Sequence, residues 1–127
     1  METVKKKILI VEDDSFVMDI YQTKLAQAGF DIIEAANGVE AMKILEKENP
    51  NLILLDILMP YMDGMEVLEK IKKEERFKNT PVILLTNLSQ QEEVKHGLEL
   101  GARDYLIKSH FTPSEVLDKI NSYLKEK

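Results

Sequence analysis

The sequence predicts an α/β fold in which five helices cover both faces of a doubly wound, five-stranded parallel sheet. Two observations carry this prediction. Short apolar runs, long enough for strands buried on both faces and too short for helices, recur along the 127 residues. Stretches with helical spacing of apolar residues separate them. Strands that alternate with helical crossovers form a parallel sheet, so we expect one domain over residues 1–127.

The predicted strands are apolar runs that stop abruptly at polar residues or turns. The run 51–55 ends at Asp56, and Pro60 stops regular structure soon afterwards. The first run likewise ends in acids, at Glu12 and Asp13. On this basis we predict strands at 8–11, 30–35, 51–55, 81–85 and 104–107.

Capping residues mark the helices between these strands. Asp14 or Ser15 can cap the first helix, and Gly29 stands where a left-handed C-cap is expected. Asp63 and Ser89 are the predicted caps of the third and fourth helices. The fourth helix has few apolar residues, so we expect it to be thinly anchored. The positions predicted to face inward are Phe16, Val17, Ile20, Tyr21 and Leu25 in the first helix, Val39, Met42 and Leu45 in the second, Val67, Leu68 and Ile71 in the third, Val94 and Leu98 in the fourth, and Val116, Leu117, Ile120, Tyr123 and Leu124 in the fifth.

Composition limits the classes of function. An apolar share of 44% and a charged share of 31% describe an ordinary folded chain. A net charge of −6 argues against direct nucleic-acid binding, and the absence of cysteine excludes disulfides and thiolate metal sites. No apolar run approaches the roughly 20 residues that span a bilayer, and no secretory signal opens the chain. We therefore expect a cytoplasmic protein with no membrane partner.

Five polar side chains are predicted to meet at one edge of the sheet. The expected strand order 2-1-3-4-5, the flavodoxin-like arrangement, places strands 1 and 3 side by side where ligands bind in open parallel sheets. Glu12, Asp13 and Asp56 then converge on that edge. Thr86 ends strand 4 and Lys108 follows strand 5, so both join them.

The three acids at this edge predict a metal site. A single Asp at a strand end is usually a turn or cap residue, but three crowded carboxylates need another explanation. Two unit charges about 4 Å apart repel by roughly 4 kcal/mol at an effective dielectric constant near 20. Oxygen ligands without His or Cys suit a hard ion, and Mg²⁺ fits because it accepts few carboxylates and keeps several waters.

The space in front of Asp56 fits a phosphoryl group. An ammonium from Lys108, a hydroxyl from Thr86 and a bound divalent ion would surround it. A transferring phosphoryl group needs such partners because its charge spreads over its equatorial oxygens. A carboxylate can act as the nucleophile and give an aspartyl phosphate. Taken singly, the lysine and the threonine are typical of surface and cap positions, so their convergence is what favours this chemistry.

Four segments carry motifs at the ends of strands 1, 3, 4 and 5, namely 8–14, 55–60 with 62–64, 81–86 and 101–108. Each segment alone is a weak signal, but in this order they are highly specific. Together they resemble the receiver domain of two-component response regulators, and the resemblance covers nearly the whole chain. The resemblance is to chemotaxis-type receivers and implies their flavodoxin-like fold.

The resemblance implies a metal-ligand set and a phosphoacceptor. Asp56 would take the phosphoryl group from a phosphohistidine on a sensor histidine kinase or a phosphotransfer protein. Asp13 and Asp56 would bind Mg²⁺ directly, with the main-chain carbonyl of Leu58 as a third ligand. Glu12 would act on the ion through water.

The resemblance also implies a catalytic and switching set. Lys108 would bind one phosphoryl oxygen, and the Thr86 hydroxyl would swing in to meet another. Tyr105 would change rotamer with it, so that the surface around helix 4 and strand 5 shifts between two packings. Such a chain is a signalling switch and not an enzyme, because it catalyses only its own phosphoryl acceptance and hydrolysis. Its downstream partner would be a target protein or an output domain that this chain lacks.

Several residues depart from the family pattern. Ser109 stands where many receivers have proline, and a cis bond costs about 0.5–1 kcal/mol before proline but roughly 3–4 before other residues. The Lys108–Ser109 bond is therefore either a strained cis bond, which we favour, or a relaxed trans bond. Asn87 replaces a small residue and could narrow the approach to the acceptor or bond the phosphoryl group. Leu58 and Leu88 are apolar at positions that flank the attacking water, which predicts slow self-dephosphorylation.

Three alternative functions place different requirements on the sequence. A phosphatase of the haloacid dehalogenase type would need a second Asp where Leu58 stands. A flavin-binding protein would need a Ser/Thr/Gly-rich loop after strand 1. A degenerate receiver that acts as an interaction module without phosphorylation is the alternative. The intact acids argue against it, whereas Asn87 and Ser109 leave it open.

Overall fold

A single parallel sheet forms the centre of the molecule. The computed structural model describes residues 5–57, 59, 63–87, 91–108 and 112–124. In these residues, five strands lie in the order β2-β1-β3-β4-β5, which confirms the predicted doubly wound, flavodoxin-like fold. The strands are β1 (Lys7–Val11), β2 (Asp31–Ala35), β3 (Leu52–Asp56), β4 (Val82–Thr86) and β5 (Asp104–Ile107).

Helices connect successive strands. The α1 cap is Asp14, whose side chain accepts the main-chain N–H groups of Phe16 and Val17. Asp63 caps α3 as predicted, by accepting the N–H of Glu66 at 3.0 Å. The predicted cap of the fourth helix, Ser89, lies outside the described residues. The helices are α1 (Ser15–Gln27), α2 (Gly38–Leu45), α3 (Gly64–Lys72), α4 (Gln91–Leu100) and α5 (Pro113–Leu124), with a 3-10 turn at Glu75–Phe77.

Two cores flank the sheet, one on each face. In β3, Ile53 and Leu55 point into the core beneath α2, α3 and α4, whereas Leu52 and Leu54 point into the core beneath α1 and α5. All four side chains are fully buried. A central parallel strand covered on both faces is expected to be mostly apolar, which is why the run 51–55 predicted β3 to within one residue of its observed bounds, Leu52–Asp56.

The inward faces of the helices differ from prediction at four positions. Phe16 and Ile20 of α1 are 72% and 38% exposed, and Val39 of α2 and Leu98 of α4 are exposed as well. The predicted apolar stripe of α1 is too wide to be covered by the sheet and α5 together. The buried residues of α1 are Tyr21 and Leu25, as predicted, and Met18, which was not predicted.

The fourth helix is held by few buried side chains. Val94 and Gly97 are its buried residues, in agreement with the expected thin anchoring. In the part of the chain that the structure describes, no helix combines the length and apolarity needed to cross a membrane.

Candidate functional site

The carboxyl ends of the strands align at one edge of the sheet. The register pairs Asp56, the last residue of β3, with Leu85 of β4. It pairs Thr86, the last residue of β4, with Ile107, which immediately precedes Lys108. The end of β1 lies beside β3, so the acids that follow β1 face the end of β3. The polar residues predicted to meet are therefore delivered to the same edge by four neighbouring strands.

Three carboxylates lie close together there. One oxygen from each of Glu12, Asp13 and Asp56 lies within 4.8 Å of the others. Glu12 and Asp56 are only 2% and 4% exposed, whereas Asp13 is exposed to solvent. An all-oxygen donor set with one open side fits a hard cation that keeps part of its water shell. The predicted carbonyl ligand, Leu58, lies outside the described residues.

Lys108 bridges the two buried acids. Its Nζ lies 2.8 Å from Oε1 of Glu12 and 3.2 Å from Oδ2 of Asp56. The other oxygen of Glu12, Oε2, accepts the main-chain N–H of Asp14 at 3.1 Å. The ammonium is therefore fixed directly in front of the Asp56 carboxylate. The bond from Lys108 to Ser109 extends beyond the described residues, so its predicted cis form stays a prediction.

Burial and charge alter the protonation of this cluster. Burial raises the pKa of the Asp56 carboxyl to about 7, and the neighbouring Glu12 adds to the rise while Lys108 opposes it. For Lys108, burial works to lower the pKa of the ammonium, but the contacts with Glu12 and Asp56 outweigh it and raise that pKa. Near neutral pH the Asp56 carboxyl is therefore poised between its protonated and ionised forms. A divalent cation beside it would favour the ionised, nucleophilic form.

Thr86 and Tyr105, the predicted switch pair, occupy different environments. Thr86 is buried, and its hydroxyl donates to the main-chain carbonyl oxygen of Asn87 at 3.1 Å. Tyr105 is 39% exposed on β5. The predicted effect of Leu88 concerns a residue outside the described part of the chain, and that of Asn87, which is exposed, stays a prediction.

For two residues near the site, the sequence indicated only a structural role. The first is Tyr21, whose pKa is raised by burial and is also affected by the charges of Lys108, Glu12 and Asp56. Its helical spacing indicated packing alone. The second is Gly64, whose N–H donates to the main-chain oxygen of Ile57 at 2.8 Å. A glycine just after a predicted cap was the only signal for this close approach.

Comparison with known proteins identifies the family. The family model described as "Response regulator receiver domain" matches residues 8–121. The chain belongs to this family. This receiver domain is 37% identical over 122 residues to the alkaline phosphatase synthesis transcriptional regulatory protein PhoP of Bacillus subtilis, a match that covers 96% of this chain and 50% of PhoP. It spans about half the length of the curated relatives it matches.

Solved structures agree with this assignment. The CheY-like response regulator receiver domain protein of Methanospirillum hungatei JF-1 superposes with a TM-score of 0.88 at 34% identity, covering 95% of this chain and 94% of that one. The chemotaxis response regulator CheY4 of Vibrio cholerae gives a TM-score of 0.88 at 28% identity, covering 94% and 99%. As a response-regulator receiver, the domain belongs to two-component signal transduction. Receivers of this kind interact with histidine kinases and output domains.

Proposed function

We propose that this receiver accepts a phosphoryl group on Asp56 from a phosphohistidine, with Mg²⁺ bound beside it. One observation carries the proposal: a nearly fully buried carboxylate lies 3.2 Å from the Lys108 ammonium and shares a cluster of acids only 4.8 Å across. A structural ion pair would need one acid for one lysine. The surplus of carboxylate is explained if the site is built for a cation and an incoming anion together.

The direct protein ligands proposed for Mg²⁺ are the carboxylates of Asp13 and Asp56 and the main-chain carbonyl of Leu58. Glu12 is proposed to act on the ion through water. An ion held by these residues would supply positive charge to offset that of the phosphoryl oxygens and would favour the ionised form of Asp56. Glu12 has a second role in the absence of phosphate. It holds the ammonium of Lys108 at 2.8 Å and so keeps it beside the acceptor.

In the proposed transfer, one bond to phosphorus forms as another breaks. A carboxylate oxygen of Asp56 forms a bond to phosphorus while the bond from phosphorus to the imidazole nitrogen of the donor breaks. The electron pair of the broken bond stays on that nitrogen. Lys108 then pairs with a phosphoryl oxygen, and the Thr86 hydroxyl leaves the Asn87 carbonyl to donate to another. The domain acts on no other substrate, since the bond it makes and later hydrolyses is its own.

The signal is proposed to leave through the surface around α4 and β5. Rotation of the Thr86 side chain opens space toward which Tyr105, now exposed, can turn. The downstream partner is a protein, either a separate target or an output domain. The greater length of the relatives supports an output domain as one form of this partner.

The face of α1 beside the site is proposed to receive the phosphoryl donor. Phe16 and Ile20 are exposed on α1, and Pro113 at the start of α5 lines the same groove. Both helix starts follow strands that end at the site. An apolar helix of the donor protein could cover this groove and present its histidine to Asp56.

Intact-mass measurement after incubation with acetyl phosphate and Mg²⁺ tests the proposal. We expect a single phosphoryl adduct on the wild type, none after EDTA treatment and none on Asp56→Asn. Asp104→Asn is the matched control, because Asp104 is also a strand carboxylate paired with a lysine, 3.0 Å from Lys119, but lies outside the acid cluster. An undiminished adduct on Asp56→Asn would refute the assignment. A wild type that forms no adduct would favour the interaction module without phosphorylation.

A further inference from the structure

The first turn of α3 rests directly on the main chain of the candidate acceptor. The N–H of Gly64 donates to the carbonyl oxygen of Ile57 at 2.8 Å. A Cβ atom at Gly64 would overlap the carbonyl oxygen of Asp56 and would lie 2.7 Å from the Cα of Ile57. No gap separates the two segments, so a shift of the main chain at residues 56 and 57 must displace the start of α3.

The next residue along, Met65, extends from this turn to α4. A Cβ atom built at Gly97 would lie 3.2 Å from Cε and 3.6 Å from Sδ of Met65, and it would overlap Cδ1 of Leu84. Both side chains therefore lie against the bare main chain of α4 at Gly97. Met65 is half-buried and packs on the core beneath α2, α3 and α4.

Gly97 is one of very few points at which α4 is held. Val94 is the only other buried residue of this helix. Leu98, which follows Gly97, is 40% exposed. A helix with so few buried contacts has a low cost of displacement, because little apolar surface changes its environment. Val94 and the half-buried Leu100 also pack on the core, so the two side chains that touch Gly97 are among the few contacts that position α4.

We propose that Met65 couples Asp56 to α4, so that phosphorylation reaches this helix by two routes that meet at Gly97. One route runs from Thr86 along β4 to Leu84. The other runs from the Asp56 main chain through Gly64 to Met65, whose side chain also lies against Gly97. The inference rests on the proposed phosphorylation of Asp56 and adds to it a residue that transmits the change without touching the phosphoryl group. Because coupling is reciprocal, moving α4 must also disturb the first turn of α3.

The first test follows the main-chain amide signals of α4 by NMR when beryllium fluoride and Mg²⁺ are added as a phosphoryl mimic. We expect Met65→Ala to reduce the shift changes in α4 by roughly half, Thr86→Ala to reduce them in part, and the double variant to abolish them. Met42→Ala is the matched control, since Met42 is a half-buried methionine of the same core on α2. If Met65→Ala does not fold, Met65→Leu keeps most of the apolar volume while shortening the reach. Shift changes in α4 equal to those of the wild type would overturn the proposal.

The second test needs no phosphoryl chemistry and so separates this inference from the proposed function. Gly97→Ala pushes against both Met65 and Leu84, and we expect amide shift changes at Gly64 in the unmodified protein. In a Met65→Ala background the changes at Gly64 should disappear while those at Leu84 remain. Changes at Gly64 that persist without the Met65 side chain would show that the connection runs elsewhere. Intact-mass measurement on the same samples reports independently whether Asp56 accepts phosphate.

Discussion

Without metal, the domain should lose stability as the pH rises from 5 to 7. Burial, with a further contribution from Glu12, holds the pKa of Asp56 at about 7 in the folded chain, against an ordinary value of 3.8. Between these two values the folded state binds a proton that the unfolded state has released. The stabilisation from the protonated carboxyl is therefore complete below about pH 4 and is lost as the pH approaches 7.

The size of the effect follows from the width of this window. Each pH unit inside it changes the free energy of unfolding by about 1.4 kcal/mol, so the interval from pH 5 to 7 accounts for at most about 3 kcal/mol. The charged groups that face Asp56 are Glu12, Asp13 and Lys108. Lys108 keeps its proton throughout, because its contacts with the acids raise its pKa. A bound Mg²⁺ would hold Asp56 ionised and remove the decline.

Urea unfolding measured between pH 5 and 7.5 checks this prediction, in EDTA and in excess Mg²⁺. The Asp56→Asn variant supplies the reference, because it keeps the shape of the side chain but cannot titrate. The difference between wild type and variant reports Asp56 together with Glu12 and Lys108, with which it interacts, and cancels the groups elsewhere in the chain. In EDTA, the free energy of unfolding of the wild type should fall relative to that of Asp56→Asn as the pH rises. If the wild type instead keeps a constant difference in free energy of unfolding, or gains stability relative to the variant, the carboxyl is ionised throughout. Either result would refute the electrostatic reasoning.

Three further predictions concern catalysis, docking and packing. Lys108→Met keeps the aliphatic stem but removes the ammonium, and we expect adduct formation with acetyl phosphate to slow by about 10²–10³, measured by intact mass. Phe16→Ala should slow transfer from a phosphorylated donor protein by about tenfold and leave the acetyl phosphate reaction unchanged, while Val39→Ala, an exposed apolar control on α2, alters neither rate. Gly64→Ala should cost about 1–3 kcal/mol in urea unfolding, because its methyl group overlaps the Asp56 carbonyl; an unchanged midpoint would contradict this contact.

Much of this architecture could be predicted from the order of residues alone. A parallel sheet covered on both faces makes its central strands largely apolar, so short runs such as 51–55 predict these strands to within a residue of their observed bounds. Strands joined by helical crossovers all end at the same edge, so the residues that end them, from Glu12 to Lys108, must be near one another. The cap Asp63 could be predicted in the same way, and the cap of α1 could be narrowed to Asp14 or Ser15, because capping is a local hydrogen-bond requirement.

What the sequence could not decide depends on atoms far apart in the chain. The exposure of Phe16 and Ile20 is set by how much of α1 the sheet and α5 can cover, and spacing within one helix does not contain that information. The protonation of Asp56 depends on its burial and on a lysine 52 positions away. The contact of Met65 with Gly97 depends on how closely α3 and α4 approach. The sequence by itself determined which residues are brought to the site, because their placement follows from local pattern and from the order of strands and helices. The distances between these residues and their loss of contact with water control the chemistry of the site, and both exist only in the packed structure.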